Sequence, residues 1–89
     1  MTLVSLRTLL DAAQAGKYAV GAFNCNNMEI VQAIVAAAEE VRSPVILQAS
    51  QGAIKYAGLD YIVGMVKTAA AKATVPMVLH LDHGTDFDT

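Results

Sequence analysis

The chain has 89 residues, with six Lys+Arg against eight Asp+Glu, a formal net charge of −2 and 55% hydrophobic residues. That is one domain at most, short of the common domain size, and too apolar and too weakly charged for intrinsic disorder. The basic residues are scattered and make no cationic patch, which argues against a nucleic-acid partner. The lone cysteine, Cys25, leaves no internal disulfide or Cys-based zinc cluster and suits a reducing, cytoplasmic compartment.

The N-terminal stretch Met1–Leu10 carries Arg7 inside its apolar run and leads into Asp11, unlike a signal peptide. No run approaches the roughly 18 apolar residues of a membrane span, so a soluble chain without a membrane partner is expected. Residues 5–15 read as a helix with Leu6, Leu9, Leu10 and Ala13 on one face and Gly16 as its stop. The apolar run Tyr18–Phe23 reads as a first strand, followed by Asn24. Asn26 with Glu29 makes a capping-box-like start to a second helix, whose stripe is Ile30, Ile34 and Val41 beside Val31, Val35 and Ala38. A second strand, Pro44–Ala49, is followed by Ser50 and a short helical turn, 51–56. A third helix covers about 60–73, with Ile62, Met65, Val66, Ala69, Ala70 and Ala73 on one side. The third strand, Pro76–Leu81, is followed by Asp82 and His83.

The second and third runs are near-continuous rather than alternating, as in strands buried on both faces of a parallel sheet. Pro44 and Pro76 stand at their first positions, where a missing N–H costs little. Strands alternating with helices imply parallel pairing through right-handed crossovers, with both crossover helices on one side of the sheet. The other face is then bare, and nothing in the 89 residues is expected to cover it. The chain reads as one piece, residues 1–89, of a larger α/β domain.

In a parallel sheet the three strand ends share one rim, where α/β folds place their chemistry. Asn24, Ser50, Asp82 and His83 thus converge from distant segments. Each also has a plain structural reading. Asn24 suits the start of a turn, Ser50 the N-cap of the following helical turn, and Asp82-His83 a turn satisfying its own backbone. His80 reads as a packed histidine of the core or behind a ligand, Cys25 as a small buried hydrophobe, and Asp86 and Asp88 as helix-start carboxylates. Tyr18, Tyr56 and Tyr61 read as packing aromatics with a wet end. Gly52 and Gly58 lack the spacing of a phosphate loop. A neutral imidazole at a strand end is a good zinc ligand, but a catalytic zinc needs about three protein ligands, so the others must come from elsewhere. The adjacent carboxylate is expected to point away from the ligand and to serve as an acid/base.

The segments Tyr18-Ala-Val-Gly-Ala-Phe-Asn24, Asn26-Asn-Met-Glu29, Ser43-Pro-Val-Ile-Leu-Gln-Ala-Ser50 and His80-Leu-Asp-His-Gly84 run in order along nearly the whole chain. Together they resemble the N-terminal part of class II, zinc-dependent fructose-1,6-bisphosphate aldolases. The resemblance implies about three βα units of a TIM (β/α)8 barrel. It also implies reversible cleavage of fructose 1,6-bisphosphate to dihydroxyacetone phosphate and glyceraldehyde 3-phosphate, as in glycolysis and gluconeogenesis. By the same resemblance His83 is one of three histidine ligands of Zn2+ and Asp82 the acid/base at the C4 oxygen. Ser50 and Asn24 contact the sugar phosphate, and zinc acts as a Lewis acid at the ketone. The full-length protein is expected to be a dimer or tetramer, and the 89 residues alone inactive, because the other ligands and the phosphate loops are missing. Gly84 favours the fructose-type branch over the tagatose-type aldolases, which usually carry a second histidine there. A non-catalytic α/β fragment, whose rim residues merely cap helices, is the alternative from another class.

Overall fold

The computed structural model describes residues 3–89; Met1 and Thr2, the start of the N-terminal stretch read above, lie outside the described residues. Helix α1 (Leu6–Gly16) starts where Ser5 Oγ accepts the Thr8 N–H at 3.1 Å. Its left-handed terminal residue is Lys17, at φ 58°, not Gly16. There the Lys17 and Tyr18 N–H groups reach back to Gln14 O (3.3 Å) and Ala13 O (3.0 Å), satisfying carbonyls the helix leaves open. Helix α2 (Met28–Val41) ends the same way at Arg42, φ 54°. Its N-cap is Asn27 rather than Asn26. Asn27 is extended, and its Oδ1 accepts the Ile30 N–H at 2.8 Å, which leaves Glu29 in the first turn beside the helix dipole.

Three parallel strands, β1 (Ala22–Asn24), β2 (Val45–Ser50) and β3 (Met77–Asp82), pair in the order β1-β2-β3. Pro44 and Pro76 fall just before β2 and β3, not at their first residues. Helices α3 (Gln51–Ala57) and α4 (Leu59–Lys72) link β2 to β3. They meet at Gly58, whose φ of 99° lies where an L side chain is strained, so the junction depends on glycine.

The layering follows the side-chain alternation of the strands. Val45, Leu47 and Met77 face α2 and α4, and with Val31, Ala38, Ile62, Val66 and Ala70 they form the main core. Both crossover helices therefore share one side, as the connection rule requires. The opposite face is not wholly bare, contrary to expectation. Leu9 of α1 buries Ile46 and Val78 there, with Val4, Leu6 and Val20 around them. The reason is a long-range bond: Val4 N–H donates to Met77 O at 2.9 Å, hooking the chain onto the outer edge of β3. α1 is thereby carried under the N-terminal ends of the strands.

β1 departs most from its expectation. It is three residues long instead of six, and all three are exposed. As the outer strand it pairs on one side only, and no described element lies across Phe23, which is 52% exposed beside an apolar groove along α2. Tyr56 and Tyr61 are likewise mostly exposed rather than packed. No helix among the described residues is long and apolar enough to cross a membrane.

One polar latch joins the far ends of α2 and α4. Glu39 accepts the Thr74 N–H at 2.6 Å and the Thr74 hydroxyl at 2.5 Å. These bonds, the hydroxyl foremost, hold the Glu39 carboxyl below the usual glutamate range. A folded-state value below the unfolded one stabilises at pH above the unfolded value and fades as acid titrates the folded carboxyl. The thermal midpoint should therefore differ between the parent chain and Glu39→Gln at neutral pH. The difference should shrink as pH falls below about 4.3. A gap that stays constant down to pH 3 contradicts the latch.

Candidate functional site

Alternation and register sort the rim residues into rows. Asn24 pairs with Gln48, and Gln48 with His80; two residues further along, Ser50 pairs with Asp82. Register partners project to the same face, and residues two apart along a strand do so as well. All five therefore stand on the face that α1 covers at its other end. The two rows are about 6.6 Å apart by strand rise. Apolar at Ile46 and Val78 and polar beyond them, this face changes character along the strands.

Gln48 belongs to the lower row, although nothing singled it out in the sequence. Its Oε1 lies 3.2 Å from His80 Nδ1, and both side chains are half-buried. The signal was present in the pairs Gln48/Ser50 and His80/Asp82, polar residues spaced by two within apolar strands. His80 fits its expected role as a packed histidine behind the rim. Cys25 is fully buried, with Sγ 3.4 Å from Gln48 O, and burial pushes its thiol pKa up, so it behaves as a packing group.

Ser50 closes β2 and caps α3: its Oγ accepts the Ala53 N–H at 3.1 Å. The structural reading of this serine is thus realised. Its side chain also borders an open cleft of about 500 Å³ shared with Asn26, Asn27 and Tyr56. The hydroxyl hydrogen remains available while the oxygen accepts, so the cap does not exhaust the group.

Asp82 and His83 are arranged differently from the expectation that neighbours diverge. His83 has φ 70°, a left-handed conformation costing roughly 1–2 kcal/mol for a non-glycine residue. That conformation turns the chain back and brings His83 Nε2 to 3.6 Å from Asp82 Oδ2. Asp82 also holds the corner from below. Its Oδ1 accepts the His83 N–H at 3.1 Å, and its carbonyl accepts the Gly84 N–H at 3.0 Å. The imidazole is 74% exposed and Asp82 28%, so the ring opens to the rim while the carboxylate is partly sheltered.

Among the described residues, no group of three or more His, Cys, Asp and Glu could hold a metal ion. His83 provides one exposed imidazole, which by itself does not make a three-ligand metal site. Past the corner, Asp86 Oδ1 accepts the Thr89 N–H at 2.8 Å, the same i to i+3 pattern as the Ser5, Asn27 and Ser50 caps, and the Thr89 hydroxyl at 2.6 Å; these bonds, the hydroxyl foremost, lower its carboxyl pKa.

Comparison with known proteins fits this geometry. The family model described as "Fructose-bisphosphate aldolase class-II" matches residues 4–89. A fructose-bisphosphate aldolase of Geobacillus stearothermophilus is 53% identical over 91 aligned positions, covering 99% of this chain and 32% of its own length. A 6-phospho-5-dehydro-2-deoxy-D-gluconate aldolase of Halalkalibacterium halodurans is 47% identical, with 99% and 32% covered. Among solved structures, the YdjI aldolase of Escherichia coli K12 superposes with a TM-score of 0.88 at 34% identity, over 97% of this chain and 33% of that one. The chain thus spans about a third of the length of the relatives it matches.

Proposed function

Since the chain belongs to the class II fructose-bisphosphate aldolase family, we propose that it supplies the acid/base and one metal ligand of an enzyme cleaving fructose 1,6-bisphosphate. Its fold is α/β, three consecutive parallel strands of a (β/α)8 barrel with the helices that connect them. The face bearing Asn24, Gln48, His80, Ser50 and Asp82 is the one a closed barrel turns inward. The observation that carries the reading is the β3 end: a partly sheltered carboxylate in the same row as Ser50, 3.6 Å from an exposed imidazole.

The donors fit one corner of a zinc site. His83 would hold the ion through its imidazole, together with two histidines from the rest of the barrel. Bound there, Zn2+ supplies Lewis-acid polarisation of the substrate ketone. Asp82 takes the proton of the C4 hydroxyl as the C3–C4 bond breaks and the aldehyde forms. In condensation it returns that proton to the aldehyde oxygen. Ser50 and Asn24 line the approach and orient the sugar phosphate, a positioning role worth having because misplacement lowers rate steeply. Glycolysis or gluconeogenesis in the cytoplasm, in a homo-oligomeric enzyme, is the setting that accompanies this chemistry.

A second phosphorylated substrate is worth assaying, because the Halalkalibacterium halodurans relative carries the name of a different aldolase. The test is an assay of the full-length, zinc-loaded protein on fructose 1,6-bisphosphate, tagatose 1,6-bisphosphate and 6-phospho-5-dehydro-2-deoxy-D-gluconate. Preference for the first supports the proposal, and preference for either other relocates it within the family. No cleavage of any refutes it.

Ser50 separates capping from substrate contact. Ser50→Ala should cost about 1 kcal/mol of stability, whereas Ser50→Gly, nearly as good a cap, should cost only a few tenths. Both should raise KM, since both remove the hydroxyl. If Ser50→Gly has parental kinetics, Ser50 is a cap alone.

A further inference from the structure

Gln51, the first residue of α3, follows Ser50 directly, yet its side chain is engaged 34 and 38 residues away. Its Oε1 accepts the Thr85 N–H at 3.0 Å and also the Thr85 hydroxyl, and its Nε2 donates to Thr89 Oγ1 at 2.7 Å. Thr89 in turn donates its N–H and hydroxyl to Asp86. The result is a run of hydrogen bonds from Thr85 through Gln51 and Thr89 to Asp86, closed only by the backbone between Thr85 and Asp86. It grips the segment that begins two residues after His83.

We propose that Gln51 is a positioning residue that holds the Asp82–His83 corner by bracketing Thr85 and Thr89. The corner needs such support. His83 has a positive φ of 70°, strained for a non-glycine residue, and such strain persists only where its surroundings over-determine it, while Gly84 at 55° adopts its turn freely. Asp82 restrains the corner from its N-terminal side, through bonds to the His83 and Gly84 N–H groups. Gln51 restrains it from the other. A primary amide suits the task because it accepts and donates at once, here to two threonines four residues apart. Its seat on the first turn of α3, next to the Ser50 cap, ties the β2 end to the β3 end. Both halves of the rim then keep one spacing. The role rests on the aldolase reading in that Asp82 and His83 are the groups being placed.

The test uses the full-length protein and three readouts: zinc affinity by chelator competition, hydrogen exchange of the 83–89 peptide, and turnover. Removing a partner that orients a metal ligand typically costs 10–100-fold in metal affinity or activity. Gln51→Ala should raise the zinc dissociation constant by about that factor and speed exchange in residues 83–89, with little change in melting temperature. Gln51→Glu keeps the acceptor for Thr85 and should recover most of the affinity. Unchanged zinc affinity, or unchanged exchange, in Gln51→Ala overturns the proposal. So does a Gln51→Glu variant as impaired as Gln51→Ala. If Gln51→Ala does not fold, Thr85→Val is measured in its place. It removes one bond of the bracket and should show the smaller shift in the same direction; no shift overturns the role. A parent enzyme that binds zinc but cleaves no sugar phosphate defeats the aldolase reading alone, because affinity and exchange still judge Gln51.

Discussion

His83→Ala in the full-length enzyme should lose most of its zinc and nearly all of its turnover, whereas Asp82→Ala should keep the metal and lose the rate. The histidine offers an exposed imidazole at the rim, and losing one of about three ligands strips or greatly weakens a catalytic zinc. The carboxylate faces inward in the row with Ser50 and is proposed to move a proton, so its removal should slow cleavage by roughly 10²–10⁴-fold. The 3.6 Å approach between Asp82 and His83 makes this a demanding test. If the carboxylate were chiefly a support for the imidazole, both variants would bleed metal alike. Zinc content and turnover measured together on the two proteins decide it. Equal metal loss would move Asp82 into the metal shell.

The largest effect on stability is expected at Leu47. It is fully buried at the middle of β2, the central strand, and faces α2 and α4. Leu47→Ala removes buried methyl groups and leaves a cavity that two flanking strands and two helices cannot easily close. Such changes cost about 2–5 kcal/mol. Leu47→Met, which conserves volume, should cost less than about 1.5 kcal/mol. Chemical denaturation of the two full-length variants gives the comparison, with a lowered midpoint and an unchanged slope expected for Leu47→Ala. Leu47 lies one residue from Gln48 and three from Ser50 but on the opposite face from both. Zinc content per folded molecule should therefore be retained. Loss of metal from folded Leu47→Ala protein would show that the two faces are coupled.

Much of this protein could be read from local pattern. The continuous apolar runs placed β2 and β3 to within one residue, because burial on both faces writes itself into consecutive positions. The stripes of α2 and α4, the alternating order and the parallel pairing followed from periodicity and connection handedness. Those rules fix Asn24, Ser50, Asp82 and His83 to one rim, since strand ends in a parallel sheet have no other place to go. Caps were misplaced by one residue at Asn27 and Lys17, because backbone dihedrals rather than residue type select the capping position.

What only the tertiary structure decided depends on pairs far apart in the chain. α1 lies on the apolar end of the sheet face opposite α2 and α4 because Val4 bonds Met77 and Leu9 meets Ile46 and Val78, none of which is visible to local periodicity. Gln48 joins Asn24 and His80 through strand register, a relation between segments rather than within one. The closing of Asp82 on His83 comes from a left-handed residue that the sequence does not announce, histidine being no glycine. Gln51 reaches Thr85 and Thr89 only because α3 and the end of β3 are already neighbours. Short-range sterics and hydrophobic spacing determine which elements form; which side chains meet at the rim is settled by register and by long-range hydrogen bonds, which exist only once the sheet has assembled.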